Sequence, residues 1–496
     1  MTRKSPFQPL SDESSPSMTP IPTPAPAAWR RAARLLPLAA ALWLAGCVSL
    51  PEVDAQSLPA APAAYTEGDG LWTVATPAEA QPRGTWWKAF ADPVLDGLIE
   101  RADRHNTSVQ GAAARLAQAR ALLGSARAER LPQVGLSAGG SRGTSPQTGT
   151  AANTLLTAGA NLSYEVDLFG RLSRGVDAAV LDTRSREALL QSTRLLVQAD
   201  VAQTYLAIRA LDTERAMVRD TVSTYRDTLR LTERRYQAGD VAELDVARVR
   251  TEVAATESEA LALDRRRAAL SHALAVLVGE VASNFRLEPV DEWNTPLPVI
   301  PAGVPSTVLT RRPDVAASQN AMLAAQARVG VAQAAWFPNV SLTASGGYAS
   351  PELSDLFKWS ARAWGVGALL SLPVFDGGRR EAGIQSARAQ FDASLASYRE
   401  QLLVAFRDVE DELASLRLLG EQAEAQARAI ESSRRATALS DSRYRNGLVS
   451  QLDLLDARRS ELASRRAGIQ VRSAQYQATV GLIRALGGGW ETPSPG

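Results

Sequence analysis

The chain has 496 residues, enough for two or three compact domains or one elongated body. Its 54 basic and 53 acidic residues leave a net charge of +1, which excludes the basic footprint of a nucleic-acid binder. One cysteine and two histidines exclude a disulfide framework and a multi-thiolate metal site and leave a histidine metal centre or Ser–His catalysis poorly supplied, so no catalytic residue, cofactor or metal is expected.

At the N-terminus, Arg30, Arg31 and Arg34 precede an apolar run, Leu35 to Ala45, that ends in Leu44-Ala45-Gly46-Cys47. A charged start, a short apolar stretch and small residues before a cut read as a secretory signal over residues 1–46. The run is about 11 residues where a spanning helix needs about 20, so it cannot cross a bilayer after processing. Met18 is an alternative start. The last four residues resemble the bacterial lipobox, which implies that Cys47 is lipidated, and Val48 behind it implies delivery to the outer membrane.

From there the chain repeats itself. Arg235-Tyr236-Gln237-Ala238-Gly239 with Leu244-Asp245 returns as Arg443-Tyr444-Arg445-Asn446-Gly447 with Leu452-Asp453, at an offset of 208, and Ala117-Gln118-Ala119-Arg120 returns as Ala325-Gln326-Ala327-Arg328. Leu131-Pro132-Gln133-Val134 matches Phe337-Pro338-Asn339-Val340 at 206. The predicted organisation is a lipidated N-terminal segment (47–92), a first repeat (93–280), a linker (281–304), a second repeat (305–487) and a tail (488–496). Each repeat reads as helix, β-hairpin (132–168; 338–375) and long helical hairpin (171–280; 377–487).

The helical hairpins follow from composition and period. No glycine interrupts 176–238, and no proline occurs between Pro146 and Pro289 or between Pro373 and Pro493. Val197, Val201, Thr204, Ile208, Leu211, Arg215, Val218, Val222, Tyr225, Leu229, Thr232 and Tyr236 keep 4-3 spacing, a heptad seam with three polar misses; Leu263, Leu270, Leu274 and Leu277 fit the return helix. A helix from Arg171 to Ala238 would extend about 100 Å, wider than a compact domain. Gly239 and Gly447 stand where each helix must reverse.

Four segments break the pattern, about 132–142, 155–168, 338–349 and 362–375, partly alternating as in Val134, Leu136 and Ala138. The links Ser141 to Asn153 and Ser350 to Ser360 predict sizeable loops. Alternation alone leaves open a sheet that caps a soluble bundle and strands that cross an outer membrane. In the second case four strands cannot close a barrel, whose smallest examples have about eight, so the chain must oligomerise. Three copies would give twelve strands around a lumen; two would give eight and a plugged barrel.

The order of short motifs adds a resemblance. Trp86-Trp87 with Phe90, Asp92-Pro93-x-Leu95-Asp96-x-Leu98-Ile99, Asp167-Leu168-Phe169-Gly170-Arg171, Arg311-Arg312-Pro313-Asp314-Val315, both Tyr-x-x-Gly tips and Ala485-Leu486-Gly487-Gly488-Gly489-Trp490 lie on the duplication. Together they resemble the TolC-type outer membrane efflux proteins, in the lipoprotein branch that serves resistance-nodulation-division pumps, over about Cys47 to Trp490. The resemblance implies a mainly α chain with membrane β. It implies a homotrimer whose twelve-stranded outer membrane barrel continues into an α-helical periplasmic barrel, with an equatorial region from the linker and the mature termini. It implies an exit duct for small molecules such as drugs, with no enzymatic activity, supplied by a periplasmic adaptor and an inner membrane pump. A duct for type I protein secretion and a non-conducting coiled-coil lipoprotein are the alternatives.

Such a duct needs a gate. Leu452, Asp456 and Arg459 fall at i, i+4 and i+7 on one helix face, and by resemblance they match an aperture's apolar ring, carboxylate ring and ion-paired arginine. Arg248 occupies the place of Asp456 in the first repeat, which suggests pairing between neighbouring hairpins. Adaptor docking is expected at the tips, on Tyr236, Gly239, Asp240, Val241, Tyr444, Gly447, Leu448 and Ser450, where glycine would permit close approach. Ser450 is also a candidate helix cap. Trp72, Trp86 and Trp87 are expected to pack in the equatorial region and Trp359 and Trp364 to sit at a membrane interface, while His105 and His272 are assigned to packing or solvent.

Overall fold

A computed structural model describes most of the chain from Pro51 to Gly488; residues 1–50, 52, 54–57, 61, 63–64, 68–83, 146–148, 299, 301–310 and 489–496 lie outside the described residues. The signal, Cys47, Trp72 and Trp490 therefore fall outside them. In order, the described elements are a 3-10 turn (Trp86–Phe90), α1 (Pro93–His105), α2 (Thr107–Ala128), β1 (Gln133–Ser145), β2 (Gly149–Val166), α3 (Arg171–Gln237) and α4 (Glu243–Leu277). The second half continues with α5 (Pro313–Ala334), β3 (Asn339–Ser350), β4 (Arg362–Ser371), α6 (Arg379–Arg445) and α7 (Gln451–Ala485).

The duplication survives folding to the residue. Helices α3 and α6 each run 67 residues and α4 and α7 each 35, and all four boundaries stand 208 apart. Their ends repeat as well: Gly239 and Gly447 take φ of 80° and 71°, and Gly279 and Gly487 take 77° and 89°. At each tip the reversal is a Schellman turn, with Gly239 N donating to Tyr236 O and Asp240 N to Arg235 O, both at 2.9 Å, and Gly447 N and Leu448 N doing the same to Tyr444 and Arg443.

Local chemistry also departs from the expectation of one helix at the start of the first repeat. Asp92 caps α1 through Val94 N (3.0 Å) and Leu95 N (3.3 Å), and Asn106 then starts a second helix by accepting from Ser108 N (2.9 Å) and Val109 N (3.2 Å). Trp86, Trp87 and Phe90 pack beneath α1 with Tyr476 of α7, whose ring lies 4.3 Å from Trp293 of the linker. His105 and His272 are exposed.

The heptad seam of α3 holds for most of its length. Val201, Ile208, Val218 and Tyr225 are buried, and two of its three polar misses carry contacts, Arg215 to Asp264 (2.5 Å) and Thr232 to the Gln451 amide (2.8 Å). Tyr236, 45% exposed, leaves the seam because the helix ends there.

The four strands form one antiparallel sheet in the order β1-β2-β3-β4. Strands β1 and β2 extend through most of the expected Ser141–Asn153 link, with Arg142 opposite Thr154 and Ser145 opposite Gly149, so that only 146–148, outside the described residues, separate the two strands where a sizeable loop was expected. Strand β4 ends at Ser371, short of 375, because Pro373 cannot continue the ladder. Register then sorts the side chains. Val134, Leu136 and Ala138 face the same side as Ala158, Ala160 and Leu162, which lie opposite Tyr348, Gly346 and Ala344, themselves beside Arg362, Trp364 and Val366. The other side carries Ser137, Asn161, Ser163, Ser341, Thr343 and Ser345, with Leu155 and Leu369 as exceptions. One face is apolar, the other polar, and β1 and β4 leave both outer edges unpaired.

Candidate functional site

The turn chemistry brings the two tips beside each other. Arg235 Nη1 donates to Tyr444 Oη at 3.0 Å, so Tyr444 holds the tips together while Tyr236 faces outward. Asp240, Leu448 and Ser450 are exposed and Val241 half-buried; Leu448 is 67% exposed. A Cβ on Gly239 or Gly447 would meet nothing within 4 Å, so these glycines are required by their positive φ and not by a close neighbour within the chain. Ser450 does cap α7: Asp453 N donates to its hydroxyl (3.3 Å) while Ser450 N donates to the Asp453 carboxylate (2.9 Å). The Ser450 hydroxyl, with its backbone N–H, holds the Asp453 carboxyl below the usual range.

Behind the tips, Leu452 is 38% exposed and Asp456 accepts from Arg459 at 3.1 Å. Arg459 has a second partner that sequence reasoning missed. Its Nε donates at 2.7 Å to Glu252 on α4, and its Nη2 reaches the other oxygen of that carboxylate. The expected pairing of Arg248 with Asp456 is not made within the chain: Arg248 lies 3.8 Å from Asp245 of its own helix, because a one-turn i,i+3 reach is nearer than the other hairpin. Glu252 is 8% exposed, and its hydrogen bond holds the Arg459 guanidinium above its ordinary pKa.

More rungs join the hairpins. Arg458 Nη1 donates to Thr228 Oγ1 (3.1 Å), and Arg466 pairs with Glu214 (2.8 Å) and with Glu259. The tip contact and the Glu252 and Glu259 pairs link residues 207 to 209 apart, essentially the repeat offset, so they lie along the axis that relates the two halves. That spacing was the available signal. Between the rungs, Tyr225 is 1% exposed at the edge of a cavity of about 570 Å³. Burial pushes its hydroxyl pKa up. Further along, Asp212, fully buried, accepts from Arg209 (3.5 Å), Arg215 (3.1 Å) and Arg267 (2.5 Å), while Arg209 and Arg267 also hold the carbonyls of Glu288 and Leu287. Spacing does not reveal this knot, because its members come from two helices and the linker.

Among the described residues no cluster could hold a metal ion and no helix is long and apolar enough to cross a membrane. The arrangement is a two-faced sheet with two open edges, joined to stiff rods about 100 Å long that are latched at their far ends. The sequence profile of the outer membrane efflux proteins matches residues 98–280 and 304–488, which takes in both repeats. The chain belongs to the outer membrane efflux protein family. It is 32% identical over 454 residues to the antibiotic efflux pump outer membrane protein ArpC of Pseudomonas putida, covering 90% of this chain and 93% of that one. It is 33% identical to the pyoverdine export outer membrane protein OpmQ of Pseudomonas aeruginosa, covering 92% and 97%. The solved outer-membrane channel OprN superposes with a TM-score of 0.82 at 30% identity, over 90% of this chain and all of that one. As in other members of this family, the fold is that of an outer membrane channel, and the chain is the exit duct of an efflux system.

Proposed function

We propose that three copies pair their free edges, β4 of one against β1 of the next, into a twelve-stranded barrel through the outer membrane, and that their helical hairpins continue it as a periplasmic tube. Lipidated Cys47 tethers each copy. A periplasmic adaptor docks at Tyr236, Gly239, Asp240, Val241, Tyr444, Gly447, Leu448 and Ser450, and passes small molecules from a resistance-nodulation-division pump into the tube. Leu452, Asp456 and Arg459 form the gate near the tips, with Glu252 as the counter-charge that holds Arg459. Transport through the duct is passive, and energy comes from the pump.

The observation that carries this reading is the sheet: apolar on one face, polar on the other, with both edges unpaired. In lipid an unpaired edge costs several kcal/mol per polar group, so such a sheet has to close, and only further copies can close it. Strand β3, Asn339–Ser350, at ~3.4 Å per residue and ~45° tilt, rises ~26 Å, close to the ~25 Å apolar band of outer membrane barrels. Aromatic rings mark both ends, with Phe169 stacked on Phe337 at 4.7 Å and Tyr348 against Phe357 at 5.7 Å.

The test is conductance of the purified protein in planar bilayers together with drug susceptibility of a deletion strain. Large cation-selective pores and raised susceptibility are expected; an oligomer without a pore would sink the proposal. For the tip, Leu448→Asp is preferable to a bulky residue at Gly447, which would strain the turn itself. It should cut adaptor cross-linking about ten-fold, by analogy with the loss of a central apolar anchor, with assembly unchanged.

A further inference from the structure

We propose that the rim of the sheet farthest from the helices binds a phosphorylated glycolipid of the outer leaflet, with Arg362 as the group that grips its phosphate. The inference rests on the barrel reading above, which places that rim at the outer surface. Strand β4 presents Val366, Ala368 and Leu370 on the apolar face, and at its start the same face carries Trp364 and then Arg362. Arg362 stands directly opposite Tyr348 in the β3–β4 register, and Tyr348 is covered by Phe357. The Arg362 guanidinium lies over the Trp359 ring, 4.3 Å from its centroid. These rings are not core: Phe357 is 70% exposed, Trp359 75% and Trp364 77%.

An arginine on an apolar surface needs a counter-charge. Neighbouring Lys358 has one, Asp355 at 2.6 Å. Among the described residues no carboxylate pairs with Arg362, and none pairs with Arg142, the exposed arginine towards the same end of β1 on the same face. A guanidinium over an indole is held from one side by the ring and keeps its N–H edge for a second partner. That edge matches two phosphate oxygens in a bidentate contact. Exposed aromatic rings flanking such a donor fit an amphiphile whose acyl chains lie along Val366 and Leu370 and whose phosphate sits at headgroup level. A soluble anion would have no use for the rings, and an unphosphorylated lipid none for the guanidinium.

The experiment is native mass spectrometry of the purified full-length protein in neutral detergent, titrated with bisphosphorylated lipid A, its dephosphorylated form, or phosphatidylglycerol. The wild type should retain the bisphosphorylated lipid preferentially. Arg362→Ala should weaken retention about ten-fold, Arg362→Lys less, and Lys358→Ala not at all. Equal retention by Arg362→Ala and wild type overturns the proposal, and so does retention of phosphatidylglycerol as strong as that of lipid A. If Arg362→Ala does not assemble, Trp359→Ala removes the ring under the guanidinium, and undiminished retention by that variant is equally fatal. Bilayer conductance separates the two readings: Arg362→Ala should conduct normally, whereas a wild type that conducts nothing sinks the duct and leaves the lipid measurement to stand or fall by itself.

Discussion

Hairpin α3–α4 and hairpin α6–α7 have identical lengths and turns, yet they are anchored very differently. Helix α3 buries side chains from Leu172 to Thr232, whereas the last buried residue of α6 is Leu413, so nothing in 414–445 is buried within one copy. Helix α7 is buried at Gln451, Leu454 and Leu455 and again only from Val471 onwards. The cause is compositional: beyond Leu413, α6 is rich in Ala, Ser, Gln and Glu, which make a shallow ridge where α3 has a heptad seam. Within itself the second hairpin is tight, since a Cβ on Gly468 would lie 2.7 Å from Ile430. The first hairpin is a scaffold; the second is a stiff rod fastened to it near the tip by Leu455 and a few charged rungs. The proposed gate, which requires the second hairpin to move against the first, fits that combination.

Breaking the scaffold should have the largest effect. Asp212→Ala leaves Arg209, Arg215 and Arg267 converging on an empty, buried place. Removing one partner of a buried ionic network costs about 3–5 kcal/mol, so the variant should unfold at markedly lower temperature and release the linker carbonyls at Leu287 and Glu288. Circular dichroism melting of the assembled protein checks this. A shift no larger than that of an exposed pair such as Arg226–Glu257 would mean that the first hairpin is not the stronger one.

Unfastening the rod should matter less for stability and more for gating. Glu252→Gln removes the buried negative charge opposite Arg459 and turns one of its two acceptor oxygens into a donor, at a cost of about 1–2 kcal/mol, between the values for exposed and buried pairs. About 1.4 kcal/mol is a ten-fold shift in an open–closed equilibrium, so frequent opening at low voltage is expected in single-channel records. Asp456→Asn touches only the exposed i,i+3 partner at 3.1 Å and should open the channel less often than Glu252→Gln, while weakening cation block. The reverse ranking would move the latch from the contact between the hairpins to the ring on the axis.

The hairpins, their tips and the four strands were legible because each has a local cause: an uninterrupted helical composition, a glycine with positive φ, an alternating segment. What stayed hidden depends on distance in space. Whether the sheet faces lipid was undecidable from Val134, Leu136 and Ala138 alone and becomes clear when the register aligns them with Leu162, Ala160 and Ala158. Of the loop expected at Ser141–Asn153, 141–145 and 149–153 are strand because their Gly and Thr residues are tolerated in a ladder as readily as in a turn. Arg459 was expected to be ion-paired, but Glu252 could be found only by asking which residues face their own counterparts across the duplication.

The smallest predicted effect tests the comparison by pH. Arg215 and Arg219 hold the Asp264 carboxyl of the first hairpin below its ordinary pKa despite the opposing effect of burial, and burial raises Glu412 of the second hairpin above its own, helped by Asp411 and Asp408. A lowered carboxyl contributes stability that is present above its unfolded value, about 3.9, and is lost as pH falls through the lower folded value. A raised one works in the opposite sense: its contribution is full below about 4.3 and is lost as pH rises through the raised value. Acidification from neutrality should therefore first tighten the second hairpin at Glu412 and only later, below about pH 4, weaken the first at Asp264. Each effect should be under about 1 kcal/mol, because Asp264 remains a third exposed and Glu412 keeps the attraction of Arg484. In melting curves from pH 3 to 8, ~5 units in all, Glu412→Gln should flatten the neutral-to-mild-acid limb and Asp264→Asn the strongly acidic one. Curves that differ from wild type only by a constant offset would show that neither carboxyl distinguishes the two hairpins.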